Sequence, residues 1–322
     1  MGRTSELSGI AAMLAATASF VVCDSFMKVV AEDLPPFEVL FLRGIAATAA
    51  CAVLLALRRE GGALSGVRNG RALLRAAAET FSVLCYIVAL ARMPIADAIS
   101  IIQTAPLILI LGAALVLRER IGPARIVLVL VGFAGALMVA QPGSSGISLA
   151  ALLALASAVL IAARDLIGRG VPTRIPVTVV AFATTIMVMA VSAALSLSVE
   201  TWTAPTSRHL AFLGAAGLFV TLGHAGLLAA YRLGPTTLIA PFFYSFAPWA
   251  VLSGLIVWGA LPNPVALGGI VLISVSGVAN VLLDPRRGRS AVPPRSTDAL
   301  SKSTPGQLKV TLDNKRESPG IE

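Results

Sequence analysis

Most side chains of this chain that could do chemistry inside a membrane sit within long apolar runs. Asp24 and Lys28 stand four apart in the first run, Arg43 lies in the second and Glu79 in the third. Gln103 and Thr104 precede Pro106 in the fourth, and His224 lies between Gly223 and Gly226 in the eighth. Phe242, Phe243, Tyr244 and Ser245 lie between Pro241 and Pro248 in the ninth. A charge or amide held in hydrocarbon is costly, so it turns toward a cavity or a partner.

Each residue keeps more than one role open. Asp24 fits an i,i+4 ion pair with Lys28, a pair with Arg43, or a proton-coupling carboxylate. Arg43 has the fork that clamps a carboxylate or phosphate, or it pairs with Asp24 or Glu38. Glu79 suits a titrating or cation-binding group, or a partner for Arg75 one turn back. Pro106 frees a backbone carbonyl one turn earlier, where Gln103 and Thr104 are placed to meet a substrate, or the break is a kink alone. The Phe243–Tyr244 cluster suits stacking on a flat organic molecule, or interhelical bulk. His224 reads as a satisfied interhelical histidine or a proton relay, and Arg164 with Asp165 as a local pair.

The elements that carry these residues are membrane spans. The 322 residues are 57% hydrophobic and 13% charged, against about 25% charge in a soluble domain. About 20 apolar residues cross a bilayer core of roughly 30 Å. Ten runs fit, at 8–30, 37–57, 71–91, 96–117, 123–140, 148–168, 176–199, 208–230, 236–258 and 264–283. The first is read as a span rather than a cleaved leader, because its apolar run continues past Asp24 and Lys28 without a small-residue cleavage site.

The net charge of +9 comes largely from arginines in short loops and in the tail, and it points to topology rather than nucleic acid. Arg58, Arg59, Arg68, Arg71, Arg75, Arg118, Arg120, Arg125, Arg164, Arg169, Arg174 and Arg232 flank the loops after even-numbered spans. Arg92 and Arg208 stand after odd ones. Positive loops stay cytoplasmic, so both termini are expected in the cytoplasm of a bacterial-type inner membrane. The 284–322 tail is rich in Pro, Ser, Lys and Arg and reads as disordered. Cys23, Cys51 and Cys85 lie in apolar stretches without metal-ligand spacing. GxxxxGK, HExxH and GxSxG are all missing from the sequence, so neither an enzyme nor a cofactor or metal site is expected.

The halves repeat. Asp24, Lys28 and Pro35 recur as Asp165, Arg169 and Pro176, each 141 residues later. Arg92-Met-Pro before Ala105-Pro106 is answered by Arg232-Leu-Gly-Pro before Ala247-Pro248. A five-span unit must enter the second time from the opposite side, giving inverted repeats. The expected fold is all-α integral membrane, ten helices in two inverted five-helix repeats. The units are 8–141 and 148–283, followed by the 284–322 tail.

Leu42-Arg43-Gly44, the ALARMPIADA turn with QTAPL, LRERIG, LAAYRLGPTTLIAPFFYSFAPW and the glycine-rich tenth span together resemble the drug/metabolite transporter superfamily, in particular its ten-span EamA-type carriers. Members often carry Gly-Glu after span nine, where this chain has Gly259-Ala260. The resemblance implies a secondary transporter whose spans one, three, four, six, eight and nine line a central cavity. It implies a small organic substrate, with amino acids, nucleoside-like compounds and vitamins among the known classes. The Phe/Tyr cluster tilts the choice toward a heteroaromatic solute, with riboflavin as the single guess and export of amino acids or related compounds as the alternative. The expected site is Arg43, Glu79, Gln103, Thr104, Phe243 and Tyr244, with Asp24, Lys28 and His224 as a coupling or structural group. A monomer or homodimer fits, with membrane lipid and substrate as partners.

Overall fold

The computed structural model describes residues 3–117, 122–141, 147–172, 174–234 and 236–283. The LRERIG turn, the 142–146 turn and the tail fall largely or wholly outside these residues. The described chain is helical throughout. Its elements are α1 (Arg3–Val30), α2 (Pro36–Leu57), α3 (Gly70–Arg92), α4 (Ile95–Ile102), α5 (Ala105–Leu117), α6 (Pro123–Ala140), α7 (Leu149–Gly168), α8 (Val177–Val199), α9 (Ser207–Leu233), α10 (Thr236–Ile239), α11 (Phe246–Trp258) and α12 (Pro264–Leu282). Short 3₁₀ turns fill Gly61–Arg68 and Ala240–Ser245. Among the described residues ten stretches are long and apolar enough to cross a membrane, and they coincide with the ten runs of the sequence to within a few residues.

Sequence chemistry sets the helix ends. Proline opens α2, α6 and α12, where its missing N–H costs nothing. Side-chain oxygens of Asn69, Ser148 and Asn263 accept the first free N–H groups of α3, α7 and α12. Spans four and nine are not continuous. Span four breaks between α4 and α5 at Gln103–Thr104, just before Pro106, and the chain turns tightly there. Span nine begins as α10, tightens to 3₁₀ around Pro241 and resumes as α11. A proline in a helix removes one N–H and crowds the preceding turn, and both breaks follow from that.

The principal helix pairs are α1 with α9, α3 with α7, α2 with α8 and α6 with α12. In spans these are one with eight, three with six, two with seven and five with ten. Exchanging each span with the one five places on returns the same set of pairs. Spans five and ten approach closely at glycine: a Cβ on Gly135 would stand 2.7 Å from the Gly269 carbonyl oxygen. Small residues permit such close contact between helices in lipid, where apolar burial gives little drive.

Candidate substrate-binding hollow

A polar group lies inside the bundle on five spans. On span one the Asp24 carboxylate accepts a 2.8 Å hydrogen bond from the Tyr86 hydroxyl of span three. The Arg43 guanidinium of span two lies 3.9 Å from Cys23 Sγ, acts on the Asp24 charge, and has a buried Nε without a partner. Glu79 of span three accepts from Arg164 of span six, which also donates to Asp165 at 2.8 Å. His224 of span eight feels the charges of Glu79, Arg164 and Arg43. Its Nδ1 donates to the Val220 carbonyl at 2.7 Å, which leaves Nε2 as the acceptor of the neutral ring.

Accessibility runs in one direction through this group. The Asp165 side chain is 40% exposed, Arg164 20% and Glu79 17%. His224 is exposed although it sits in mid-span, among charges borne by three other spans. Asp24 and Tyr86 fall to 8%, and Met27 and Leu90 to 1% and 0%. Exposure within the group therefore falls from the end where α1 begins toward the opposite, far end. A row of aromatic rings stands beside His224. Phe20 stands edge-on to His224 with centroids 5.0 Å apart, and Phe246 and Phe243 continue the row at 6.2 and 6.3 Å.

The far end is tied by polar contacts. Glu200 accepts from the first N–H groups of α2, at Phe37 and Glu38 (3.0 and 3.1 Å). Glu38 itself accepts from the Thr203 N–H at 3.0 Å rather than pairing with Arg43. His209 meets Asp33 at 3.1 Å. Trp258 Nε1 donates to Glu32 at 2.6 Å, and Gln141 and Asn263 exchange amide hydrogen bonds of 2.8 and 3.0 Å.

Asp24, Arg43, Glu79 and His224 thus come together, while other expected residues do not join them. The Asp24–Lys28 pair is replaced by other bonds: Asp24 is taken by Tyr86, and Lys28 Nζ donates to the Leu90 and Met93 carbonyls at 2.7 and 2.8 Å. Glu79 feels Arg75, but its hydrogen bond goes to Arg164. Gln103 lies at the span-four break, 2% exposed, with no hydrogen-bond partner at either amide atom. Thr104 turns its hydroxyl to the Ile101 carbonyl at 2.7 Å. Tyr244 is buried with its ring against Gly277 of span ten, while Phe243 keeps its place in the aromatic row.

Sequence reasoning missed Tyr86 and the second bond of Arg164. A tyrosine in an apolar span gives no sign of its partner, and the 141-residue offset that sets Asp165 against Asp24 sets Arg164 against the uncharged Cys23. Among the described residues no three His, Cys, Asp or Glu side chains converge to hold a metal ion.

Comparison with known proteins agrees with this architecture. The model of the EamA-like transporter family matches residues 7–141. A protein of Rhizobium johnstonii named riboflavin transporter is 33% identical over 208 residues, covering 64% of this chain and 68% of its own. A Pseudomonas aeruginosa protein named pseudopaline exporter is 30% identical over 274 residues, covering 84% and 95%. One solved crystal structure shares the fold at a TM-score of 0.59 and 22% identity, covering 90% of this chain and all of its own. With ten apolar crossings, helix breaks in spans four and nine, and relatives aligned over most of its length, the chain belongs to the EamA-like transporter family of the drug/metabolite transporter superfamily.

Proposed function

We propose that this protein is a secondary transporter that moves a small heteroaromatic metabolite, riboflavin as the best single candidate, across a bacterial inner membrane by alternating access. The reading is carried by a group of polar side chains from five spans, more exposed toward the end where α1 begins, which we read as the floor of a hollow with a row of aromatic rings along one wall. Such a hollow holds a flat ring system against Phe20, Phe246 and Phe243. It offers the ligand's polar groups the Arg43 guanidinium, the Glu79–Arg164 pair and the Nε2 acceptor of His224. The relative named riboflavin transporter supports the substrate choice. The mirrored span pairs support two inverted units, 8–141 and 148–283, that rock about this hollow. The arginine-rich loops support cytoplasmic termini, so the accessible end faces the cytoplasm.

A second reading is export of an amino-acid-like anion. It is favoured by the unpartnered Nε of Arg43 and by the relative named pseudopaline exporter. Counterflow in proteoliposomes separates the two. Vesicles preloaded with riboflavin should accumulate labelled riboflavin unaltered, and Phe20→Ala should raise KM several-fold at normal protein levels. Counterflow with amino acids and none with riboflavin overturns the first reading. Chemical conversion of the solute would mark an enzyme, and flux without saturation a channel.

A further inference from the structure

The far end of the hollow is closed by more than packing. Spans one, eight and nine form one packed group, with α1 against α9 and α11. Thr17–Ser245 and Ser25–Ser253 hydroxyl pairs tie spans one and nine at 2.8 and 2.6 Å. Spans three, four and six form the other group, with α7 against α3, α4 and α5 and a 2.9 Å Ser82–Ser157 pair between spans three and six, and α11 of the first group also packs on α4 of this one. Polar links cross between the groups at Tyr86–Asp24 and, nearer the far end, at Lys28.

The chemistry of the Lys28 link is written in the sequence of span three. In a helix the Leu90 carbonyl would accept the N–H of residue 94, but residue 94 is proline and has none. The α3 helix ends at Arg92, and Met93 is its extended cap. Both the Leu90 and Met93 carbonyls therefore lie free at a helix C-terminus, where the backbone dipole favours a cation. Lys28 Nζ donates to both, at 2.7 and 2.8 Å. The ammonium also lies 5.7 Å from the Trp258 ring centroid, and that ring is held in turn by its bond to Glu32. An ammonium has three N–H donors and no acceptor. Two carbonyls from span three and an aromatic face from span nine satisfy it in one place.

We propose that Lys28 is the gating residue of the far end: its bonds to Leu90 and Met93 hold the two span groups together there and must break for the hollow to open on that side. This rests on the alternating-access reading. Separating the groups strips the ammonium of both carbonyls at once, so opening at this end requires water or another acceptor to replace them. The Leu90 carbonyl is orphaned by Pro94 and cannot re-form a helical bond when the lysine leaves, and the Met93 carbonyl belongs to an extended cap outside the helix.

The test needs no substrate. Val83 is partly exposed on the face of span three between Glu79 and Tyr86, so a cysteine there reports access to the hollow. In a chain carrying Cys23→Ala, Cys51→Ala, Cys85→Ala and Val83→Cys, a membrane-impermeant methanethiosulfonate is added to each side of vesicles in turn. With Lys28 present, labelling from the far-end side should be slow. Lys28→Met should speed it by about tenfold or more, the population shift that corresponds to about 1.4 kcal/mol. Lys28→Arg, which can still donate to both carbonyls, should keep it slow. Pro94→Ala offers Leu90 an N–H in competition with the lysine and should give a smaller acceleration, which keeps the test readable if Lys28→Met does not reach the membrane. Labelling from the far side that neither Lys28→Met nor Pro94→Ala changes overturns the proposal. That failure leaves solute counterflow untouched, whereas Lys28-dependent labelling without counterflow of any solute overturns the transport reading alone.

Discussion

Two interfaces of this protein occupy equivalent places in the pairing of spans and are built from opposite chemistry. Spans three and six meet through charge and hydroxyls: Arg164 with Glu79, Ser82 with Ser157, and Arg71 donating to the Gly170 carbonyl at 2.9 Å. Spans one and eight meet through small and aromatic groups. A Cβ on Gly226 would stand 3.1 Å from that of Ala16, Gly223 faces the Phe20 ring, and Phe26 stacks on Phe212 at 5.2 Å. The position 141 residues before Arg164 is Cys23. The polar interface flanks the more exposed end, and the apolar one carries the aromatic row. Charge is thus kept where water can solvate it, and the dry contact is kept tight by glycine. In a bilayer an unsatisfied polar group has no solvent to turn to, so the polar side must be fully paired or wet.

The contrast can be broken from either side. The largest effect is expected from Arg164→Met, which leaves Glu79 and Asp165 as neighbouring carboxylates without their shared cation. Stability should fall by about 1–3 kcal/mol, less than for a fully buried pair because water reaches this one. The double change Arg164→Met with Glu79→Met should recover most of the loss, read as the melting temperature in detergent. A double variant no more stable than the single would mean that the pair is not the source of the cost.

Gly223→Leu attacks the apolar interface. A Cβ there would already stand 2.6 Å from the Phe20 ring, so the ring must move away from His224. Overpacking of this kind costs about 1–3 kcal/mol. Affinity for an aromatic solute should drop with it, whereas Phe26→Ala, on the Phe212 side of the same helix, should lower stability and leave KM unchanged. Equal KM values for Gly223→Leu and the parent would remove Phe20 from the wall. The smallest effect sharpens the comparison. Ser82→Ala with Ser157→Ala removes both members of a buried hydroxyl pair, so no orphan remains and the change in stability should stay under about 1 kcal/mol. A larger fall would show that the polar interface depends on hydroxyls as much as on charge.

Much of the fold was legible from the residues. Runs of apolar length marked the ten crossings, and proline marked the breaks in spans four and nine. The Asp24/Asp165 and Lys28/Arg169 offsets pointed to a duplication, and the span pairs have a symmetry that agrees with one. The site was legible only in part. Asp24, Arg43, Glu79 and His224 stood out because ionisable groups are rare in apolar spans, and they do meet. Which of them would pair was not legible. Lys28 lies one turn from Asp24, yet it bonds to carbonyls more than sixty residues away, because Pro94 had left one of them without its helical donor. Tyr244 looked like a stacking group, and that its ring would lie against Gly277 was not legible, since a glycine opposite is invisible until the helices are packed.

The sequence alone determined how often the chain crosses the membrane, where its helices break and which costly side chains lie inside, because lipid constrains length, charge and backbone hydrogen bonds within each span. Tertiary structure alone decided the partners: Tyr86 for Asp24, Arg164 for Glu79 and the end of span three for Lys28. A helix fixes the direction of its own side chains, but a hydrogen bond between spans depends on which faces come to rest within about 3 Å of each other, and that distance is a property of the assembled bundle.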